Sequence, residues 1–318
     1  MTEHIRLTGT VLPSMSGKRL DAALALLFTE YSRTRLQQWI LEGYVTVEQE
    51  VNKNTRYKVR GDEQIIVVAS WPDPTHWQAQ SLPVEVVYAD DTLIVVNKPT
   101  SVVVHPAVGN TAGTLVNALL HHFPEVAILP RAGIVHRLDK NTSGLLVIAR
   151  TLAAHTSLVA QLQAHEVKRE YEAIVNGVLT SGGTISTQMG RHPVDRKRMA
   201  VVKAGKEAIT HYRIIKRFAK HTHIKVELET GRTHQIRVHL SHLGFPLVGD
   251  KTYGYRPLFP PHCSAELREA LAQRNHQALH ARRLGLVHPV TKEQMSWEAV
   301  LPDDFMQLLN LLNADGES

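Results

Sequence analysis

The sequence predicts an α+β protein in which a small N-terminal unit precedes a larger domain built on a largely antiparallel sheet. Three observations carry this. Apolar residues switch repeatedly between helical and alternating spacing, without the regular βα repeat of a doubly wound fold. Residues 70–83, with Pro72, Pro74 and Pro83, show no periodicity and read as a linker between residues 1–69 and 84–318. The chain's 318 residues, 43% hydrophobic and 21% charged, are too many for one small domain and have the composition of ordinary globular protein.

The elements follow in order. Leu20, Ala23, Leu24 and Leu27 recur at i, i+3, i+4, i+7, predicting a helix over Lys18 to Phe28. A second helix has Ser32 as N-cap, an apolar stripe of Leu36, Trp39 and Ile40, and Gly43 just past its C-terminus. Its Arg33, Thr34 and Arg35 lie off that stripe, near the positive helix end, where phosphate oxygens are held well. Tyr44 to Val47 and Ile65 to Val68 read as strands, completing a unit with its core at 18–68.

Beyond the linker, Val84 to Tyr88 and Leu93 to Val96 are β-rich runs around Asp90-Asp91 and suggest a hairpin. Thr114 to His122 and the stretch carrying Leu152, Leu158, Val159 and Leu162 suit helices. Leu145 to Ala149, Glu170 to Val175 and His223 to Glu229 read as strands, the last with Ile224, Val226 and Leu228 on one face. No internal repeat or low-complexity segment interrupts this pattern.

Composition and missing motifs narrow the function. The longest apolar run, Ala22 to Phe28, is far below the ~18 residues of a membrane span, and the first residues hold no apolar signal core. A single cysteine, Cys263, excludes an internal disulfide framework and multi-cysteine zinc sites, so the expected setting is the cytoplasm. The chain has no G-x-x-x-x-G-K-[ST], G-x-G-x-x-G or G-x-S-x-G sequence, which removes support for nucleotide hydrolysis, dinucleotide redox and the usual serine hydrolase. His276 with His280, and His234 with His239 and His242, raise a metal site, but without H-E-x-x-H or a further ligand set the expectation is no metal and no cofactor.

Charge is concentrated. The net +6 is more than accounted for by residues 191–220, where ten Lys and Arg face two acidic residues. Its core, Arg191-His-Pro-Val-Asp-Arg-Lys-Arg198, is dense enough in cations to neutralise several phosphates, the sequence-independent attraction of nucleic acid. A solvated loop is the plainer reading of the same residues.

Two stretches carry chemistry. Arg131-Ala-Gly-Ile-Val-His-Arg-Leu-Asp-Lys-Asn-Thr-Ser-Gly-Leu-Leu146 sets Asp139 between Arg137 and Lys140, ahead of a Thr-Ser-Gly turn. Cationic neighbours and turn amides would keep that carboxylate ionised and able to act as a nucleophile; an Asp that merely bonds turn amides is the plainer reading of the residues alone. Leu228-Glu-Thr-Gly-Arg-Thr-His-Gln-Ile-Arg-Val-His-Leu240 runs from a strand through Gly231 into a helix. Ile236, Leu240 and Leu243 would bury one helical side, leaving His234 and Arg237 for a cleft, with Arg237 able to grip a carboxylate or to make only a surface ion pair.

His136-Arg-Leu-Asp139, Thr142-Ser-Gly-Leu-Leu146 and Gly231-Arg-Thr-His-Gln-Ile-Arg237 closely resemble the RNA pseudouridine synthases that modify ribosomal large-subunit RNA. The resemblance continues through Tyr88-Ala-Asp-Asp-Thr-Leu-Ile-Val-Val-Asn-Lys-Pro99, Lys168-Arg-Glu-Tyr171, Leu247-Val-Gly-Asp-Lys-Thr-Tyr-Gly254 and Ala278-Leu-His-Ala281, in the family's order, and so covers residues 84–302. Residues 18–68 resemble the alpha-L RNA-binding motif known from a small-subunit ribosomal protein. Two departures stand out: Ser101 occupies a position where the family often has Gly, and Glu48-Gln-Glu50 replaces the usual Asn-Gly turn.

The resemblance implies a mixed, largely antiparallel catalytic sheet flanked by helices, following an alpha-L domain. It implies isomerisation of specific uridines in 23S ribosomal RNA to pseudouridine, with the base everted, detached at its N-glycosidic bond and rejoined through carbon, without a cofactor. Asp139 would be the catalytic carboxylate, by attack on the sugar, attack on the ring or a glycal route. Arg237 would pair with Asp139, and Tyr171 would stack on the base and move a proton. Arg137, Arg232 and His234 would surround the everted nucleotide, while Arg33, Arg35, Arg191, Arg196, Lys197 and Arg198 would hold RNA backbone. The expected partner is large-subunit ribosomal RNA or a pre-ribosomal particle, met by a monomer away from membranes. The alternatives are an RNA-binding ribosome-assembly factor and a synthase acting on tRNA; a glycoside hydrolase lacks a second placed carboxylate.

Overall fold

The computed structural model describes residues 4–29, 31, 33–70, 77–106, 110–195 and 197–315. The chain divides into two compact units, Met1–His76 and Trp77–Ser318. Of the stretch read as a linker, 71–76 lie outside the described residues. Residues 78–82 are hydrogen-bonded within the second unit, where the Gln78 carbonyl accepts from Asn117 Nδ2 and the Gln80 N–H donates to the Asn117 carbonyl.

In the first unit, β1 (His4–Thr10), α1 (Leu20–Leu27), α2 (Arg33–Glu42), β2 (Val45–Val47), β3 (Glu50–Val51) and β4 (Gln64–Ser70) give an antiparallel sheet in the order β1-β4-β2-β3. The expected stripe is the core: Leu20, Ala23 and Leu24 of α1 meet Leu36, Trp39 and Ile40 of α2 and Ile65 and Val67 of β4. Gly43 ends α2 at φ +87°, while Ser32, expected as its N-cap, lies outside the described residues. Strand β1 has no counterpart in the sequence reading, because its partner β4 lies across the whole unit and only that pairing makes its residues a strand. Glu48 and Gln49 turn the β2–β3 hairpin with φ of +50° and +70°, the conformation that Asn-Gly adopts most easily.

The second unit holds β5 (Glu85–Ala89), β6 (Leu93–Lys98), α3 (Leu115–His122), β7 (Ser143–Ala149), α4 (Leu152–Gln163) and β8 (Lys168–Asn176). After these come β9 (Gly183–Arg191), β10 (Met199–Val201), β11 (Lys206–Arg217), β12 (His221–Leu228), α5 (Gln235–His242), α6 (Ala265–Gln273), β13 (Leu279–Val287), β14 (Gln294–Glu298) and α7 (Asp303–Ala314). The ten strands form one sheet in the order β10-β9-β11-β12-β8-β13-β7-β6-β5, with β14 on β13. Its pairings are antiparallel except β13–β7, so the sheet is mixed and largely antiparallel, as the sequence predicts. The β5–β6 hairpin forms with Asp90 Oδ1 accepting from the Thr92 and Leu93 N–H groups. Thr114 caps α3 in a reciprocal box with Asn117.

Alternation along β6 and β7 feeds two cores. Ile94, Val96, Leu146 and Ile148 pack with α3 on one face, and Leu93, Val95, Leu145 and Val147 pack with α4 on the other. Helices α6 and α7 cover Ile174 of β8, through spacings such as Phe305, Leu308, Leu309 and Leu312 that are plain in the sequence. Within the basic stretch 191–220, the described residues 192–195, 197 and 198 are loop, as the plainer reading has it, while β11 takes up Lys206–Arg217. Some of its cations serve the fold: Arg217 donates to the Leu179 and Thr180 carbonyls.

Candidate active site

The loop carrying Asp139 is fixed from several sides. The Asp139 carbonyl accepts from the Thr142 N–H, closing a turn, and Leu138 is buried in the core. Gln277 Nε2 donates to Thr142 Oγ1, and His280 Nδ1 lies 2.8 Å from Ser143 Oγ. His136 accepts the Val147 N–H at Nε2, and burial pushes its imidazole down to about 3, so it stays neutral as that bond requires. Lys98 is wholly buried and spends its three donors on the carbonyls of Pro99, Val102 and Lys140, pinning β6 to this loop. At Gly144, φ is +112° and a Cβ would fall 2.3 Å from the Ala281 carbonyl oxygen, so only glycine permits β7 to lie this close to β13.

Helix α5 brings the partner. Gln235, buried at the first turn, accepts from Thr230 Oγ1 and the Arg232 N–H and donates to the Ile209 carbonyl and Thr210 Oγ1. These bonds lock the strand-to-helix turn, which His234 makes in the left-handed region at φ +58°. Ile236 and Leu240 face the core as expected, but Leu243 is 39% exposed. It caps the C-terminus of α5, where the chain leaves the helix before another turn can bury it.

Arg237 joins two carboxylates. Its Nη1 donates to Asp139 Oδ2 at 3.1 Å, while Nε and Nη2 grip Asp250 Oδ2 and Oδ1 at 2.7 and 2.9 Å. Burial works against its charge, but Asp250 and then Asp139 outweigh it and push the guanidinium pKa up. The bidentate face thus belongs to Asp250, and Asp139 receives the remaining edge. The Arg237 guanidinium stacks 4.9 Å from the Tyr253 ring centre, and Arg198 lies over the same ring at 5.1 Å. The Tyr253 hydroxyl accepts the Met199 N–H and lies 2.7 Å from His234 Nδ1, and His234 Nε2 lies 3.8 Å from Asp139 Oδ1. Burial holds His234 below the usual histidine range.

Two cavities meet at Asp139. One, about 540 Å³, is lined by Arg137, Asp139, Tyr171, Arg232, His234 and Arg237, which brings together every residue expected to act on or surround the nucleotide. Tyr171 is 6% exposed; burial pushes its phenol up to about 12, so it is protonated at neutral pH. The other, about 610 Å³, shares Asp139, His234 and Arg237 and is walled by Lys140, Lys197, Arg198 and Lys251.

Of the remaining residues expected to bind RNA, Arg191 is exposed at the end of β9, and Arg196 lies outside the described residues. Arg33 and Arg35 belong to α2 in the first unit. There the Arg33 guanidinium bonds the fully buried Asp21 through Nε and Nη2, so it braces the two helices as well as facing solvent. Among the histidines that raised a metal site, His239 bonds Thr187 and Thr210, His276 Nε2 lies 3.3 Å from Asp304 Oδ2, and His280 meets Ser143. Sequence reasoning missed Asp250, Tyr253 and Lys98 as site residues. All three stand in stretches that carry the resemblance, but their role depends on contacts that no local spacing announces.

Residues 92–242 match the RNA pseudouridylate synthase family and residues 18–65 match the S4 domain. The chain is 53% identical over its whole length to a Pseudomonas aeruginosa protein named ribosomal large subunit pseudouridine synthase D, covering 99% of it. A Pasteurella multocida protein of the same name is 51% identical, over 98% of this chain and 96% of that protein. Among solved structures, human RNA pseudouridylate synthase domain containing 1 is 26% identical with a TM-score of 0.53, over 74% of this chain and 97% of that one. Human RNA pseudouridylate synthase domain containing 4 is 25% identical with a TM-score of 0.54, over 72% and 93%. With its family match, its full-length relatives and its paired S4 and catalytic folds, the chain belongs to the RNA pseudouridine synthases.

Proposed function

We propose that this enzyme converts specific uridines of large-subunit (23S) ribosomal RNA to pseudouridine, with Asp139 as its catalytic carboxylate. The observation that carries the reading is the position of Asp139, where two cavities meet, held by an arginine that is itself held by Asp250. The names of relatives about half identical over nearly the whole chain support ribosomal RNA as substrate.

In this reading the target nucleotide is everted into the cavity beside Tyr171, at a cost of a few kcal/mol that backbone contacts offset. Lys197 and Arg198 hold phosphates near the second cavity, Arg191 and Arg196 hold RNA backbone with them, and Arg33 and Arg35 of the alpha-L domain, residues 1–69, also grip the RNA. Arg137, Arg232 and His234 surround the nucleotide. Arg237 aims Asp139, whose carboxylate attacks the sugar or the ring or promotes a glycal. Tyr171, protonated at neutral pH, stacks on the base and can donate or relay a proton. The C1′–N1 bond breaks, C1′–C5 forms, C5 loses its proton and N1 gains one. Every atom and electron is conserved within the uridine, so the step calls for no cofactor. The catalytic domain, residues 84–318 after the 70–83 linker, acts as a monomer in the cytoplasm.

The test is Asp139→Asn. Pseudouridine formation should vanish while RNA affinity stays within about twofold, since one neutral-for-charged exchange inside the cavity removes no phosphate contact. Unchanged modification would remove Asp139 from the reaction. Mapping pseudouridine in cells with and without the gene identifies the uridines, and loss of a tRNA site in place of a ribosomal one would refute the substrate.

A further inference from the structure

Arg169 has no part in the chemistry so far, yet it stands on the cavity wall. On β8 it precedes Tyr171 by two residues, so alternation sends both side chains to the same face, and both line the 540 Å³ cavity. It is 9% exposed. Its Nη2 donates to the Glu229 carbonyl at 3.1 Å and reaches the Leu228 carbonyl at 3.5 Å. Among the described residues Nη1 makes no hydrogen bond, the buried Nε has no partner, and no carboxylate forms an ion pair with the group. Gly231 is what admits it: a Cβ there would lie 2.5 Å from Arg169 Nη1, and Gly231 has no positive φ that would otherwise call for glycine.

A buried cation without a counter-charge is unfavourable, and a ligand that brings negative charge offsets that cost. The neighbouring cations are differently placed. Arg237 is satisfied by two aspartates, Arg232 donates to the Glu207 carbonyl, and Arg137 is exposed. In the reading above, RNA phosphates stay with the backbone, toward the cavity walled by Lys140, Lys197, Arg198 and Lys251. What enters beside Tyr171 is the base. On all three routes that base becomes negative: the C1′–N1 electron pair passes to N1 and spreads to O2 and O4, or attack on the ring sends charge to C5 and O4. The charge is discharged when C5 bonds to C1′, C5–H loses its proton and N1 is protonated.

We propose that Arg169 is a further catalytic residue, whose guanidinium faces the carbonyl oxygens of the everted uracil and stabilises the negative charge the base acquires while detached or attacked. This rests on the pseudouridine reading above. It assigns the anionic base to a preorganised donor that is itself largely withdrawn from solvent.

The experiment compares wild type, Arg169→Lys and Arg169→Met in single-turnover loss of the target uridine from an RNA fragment, and repeats it with 5-fluorouridine at that position. Fluorine withdraws electrons from the ring and itself stabilises the charge. Arg169→Met should slow the uridine reaction by about 10²–10³-fold with RNA affinity and its salt slope unchanged, Arg169→Lys by less. The deficit should shrink by roughly tenfold or more on 5-fluorouridine. Equal deficits on the two substrates would overturn the proposal in favour of a structural role. An unchanged rate with weaker binding and a salt slope smaller by about one would assign the group to a phosphate instead. Arg169→Lys keeps the charge and the fold if the Met variant does not fold, and its deficit must show the same dependence on fluorine. A wild-type enzyme inactive on every uridine would instead sink the parent reading.

Discussion

Arg237→Met tests whether the central ion pairs act as one unit. The substitution keeps most of the side-chain volume and removes the guanidinium from Asp250, whose side chain is 1% exposed and has no other hydrogen-bond donor among the described residues. A buried carboxylate left without its cation costs about 3–5 kcal/mol. Asp139, at 15% exposure, keeps contact with solvent and adds little. For a unit of this size each kcal/mol lowers Tm by about 2–4 °C, so the drop should be about 6–20 °C. Urea unfolding followed by circular dichroism measures the free energy, and pseudouridine formation measures the site. Arg237→Met with Asp250→Asn should recover most of the stability, because the orphaned charge is gone, yet remain inactive because Asp139 is no longer aimed. A single variant within about 1 kcal/mol of wild type, or a double variant no more stable than the single one, would refute the reasoning.

Three other outcomes follow from the same structure. His221, His239 and His280 are fully buried, and burial pushes each from 6.5 to about 4. Between those values the unfolded chain binds protons that the folded one refuses. Stability is therefore complete above about pH 6.5 and falls as the pH drops toward 4, by up to about 1.4 kcal/mol per pH unit for each histidine. Urea midpoints at pH 7 and 5 check this, and His221→Phe, which replaces a ring with both nitrogens unpartnered, should flatten the slope by at most about a fifth, because burial depresses His105 and His136 as strongly. Ser101 sits at φ +69°, so Ser101→Gly should raise stability by about 0.5–1 kcal/mol in the same unfolding assay; a loss would mean the hydroxyl supports the loop. Gly144→Ala drives a Cβ into the Ala281 carbonyl and should cost more than about 4 kcal/mol, seen as loss of soluble, folded protein; a well-folded variant would show that β7 and β13 can separate.

Local spacing determined a large part of this protein. Leu20, Ala23, Leu24 and Leu36, Trp39, Ile40 set two helices and their buried faces, Asp90-Asp91 set a hairpin, and Ile224 and Val226 set a buried strand face, because those patterns act within one element. Helices α6 and α7 carried equally plain signals that went unread, Ser264 as an N-cap and the Phe305 stripe. The resemblance pointed to Asp139, Tyr171 and Arg237, and these do line one cavity.

Tertiary structure alone decided the rest. Strand β1 exists through its register with β4, and the one parallel pairing sets His280 against Ser143 across 137 positions. Arg237 meets Asp139 across 98 positions, and its stronger bonds go to Asp250, a residue the sequence reading passed over. Arg33, read from its place off the apolar stripe as a residue for phosphate oxygens, also bonds Asp21. A side chain's periodicity records which way it faces, which the sequence contains. Which charge neutralises which, and which cation is left over for a substrate, depends on distances between elements far apart in the chain, and those are fixed only when the core closes.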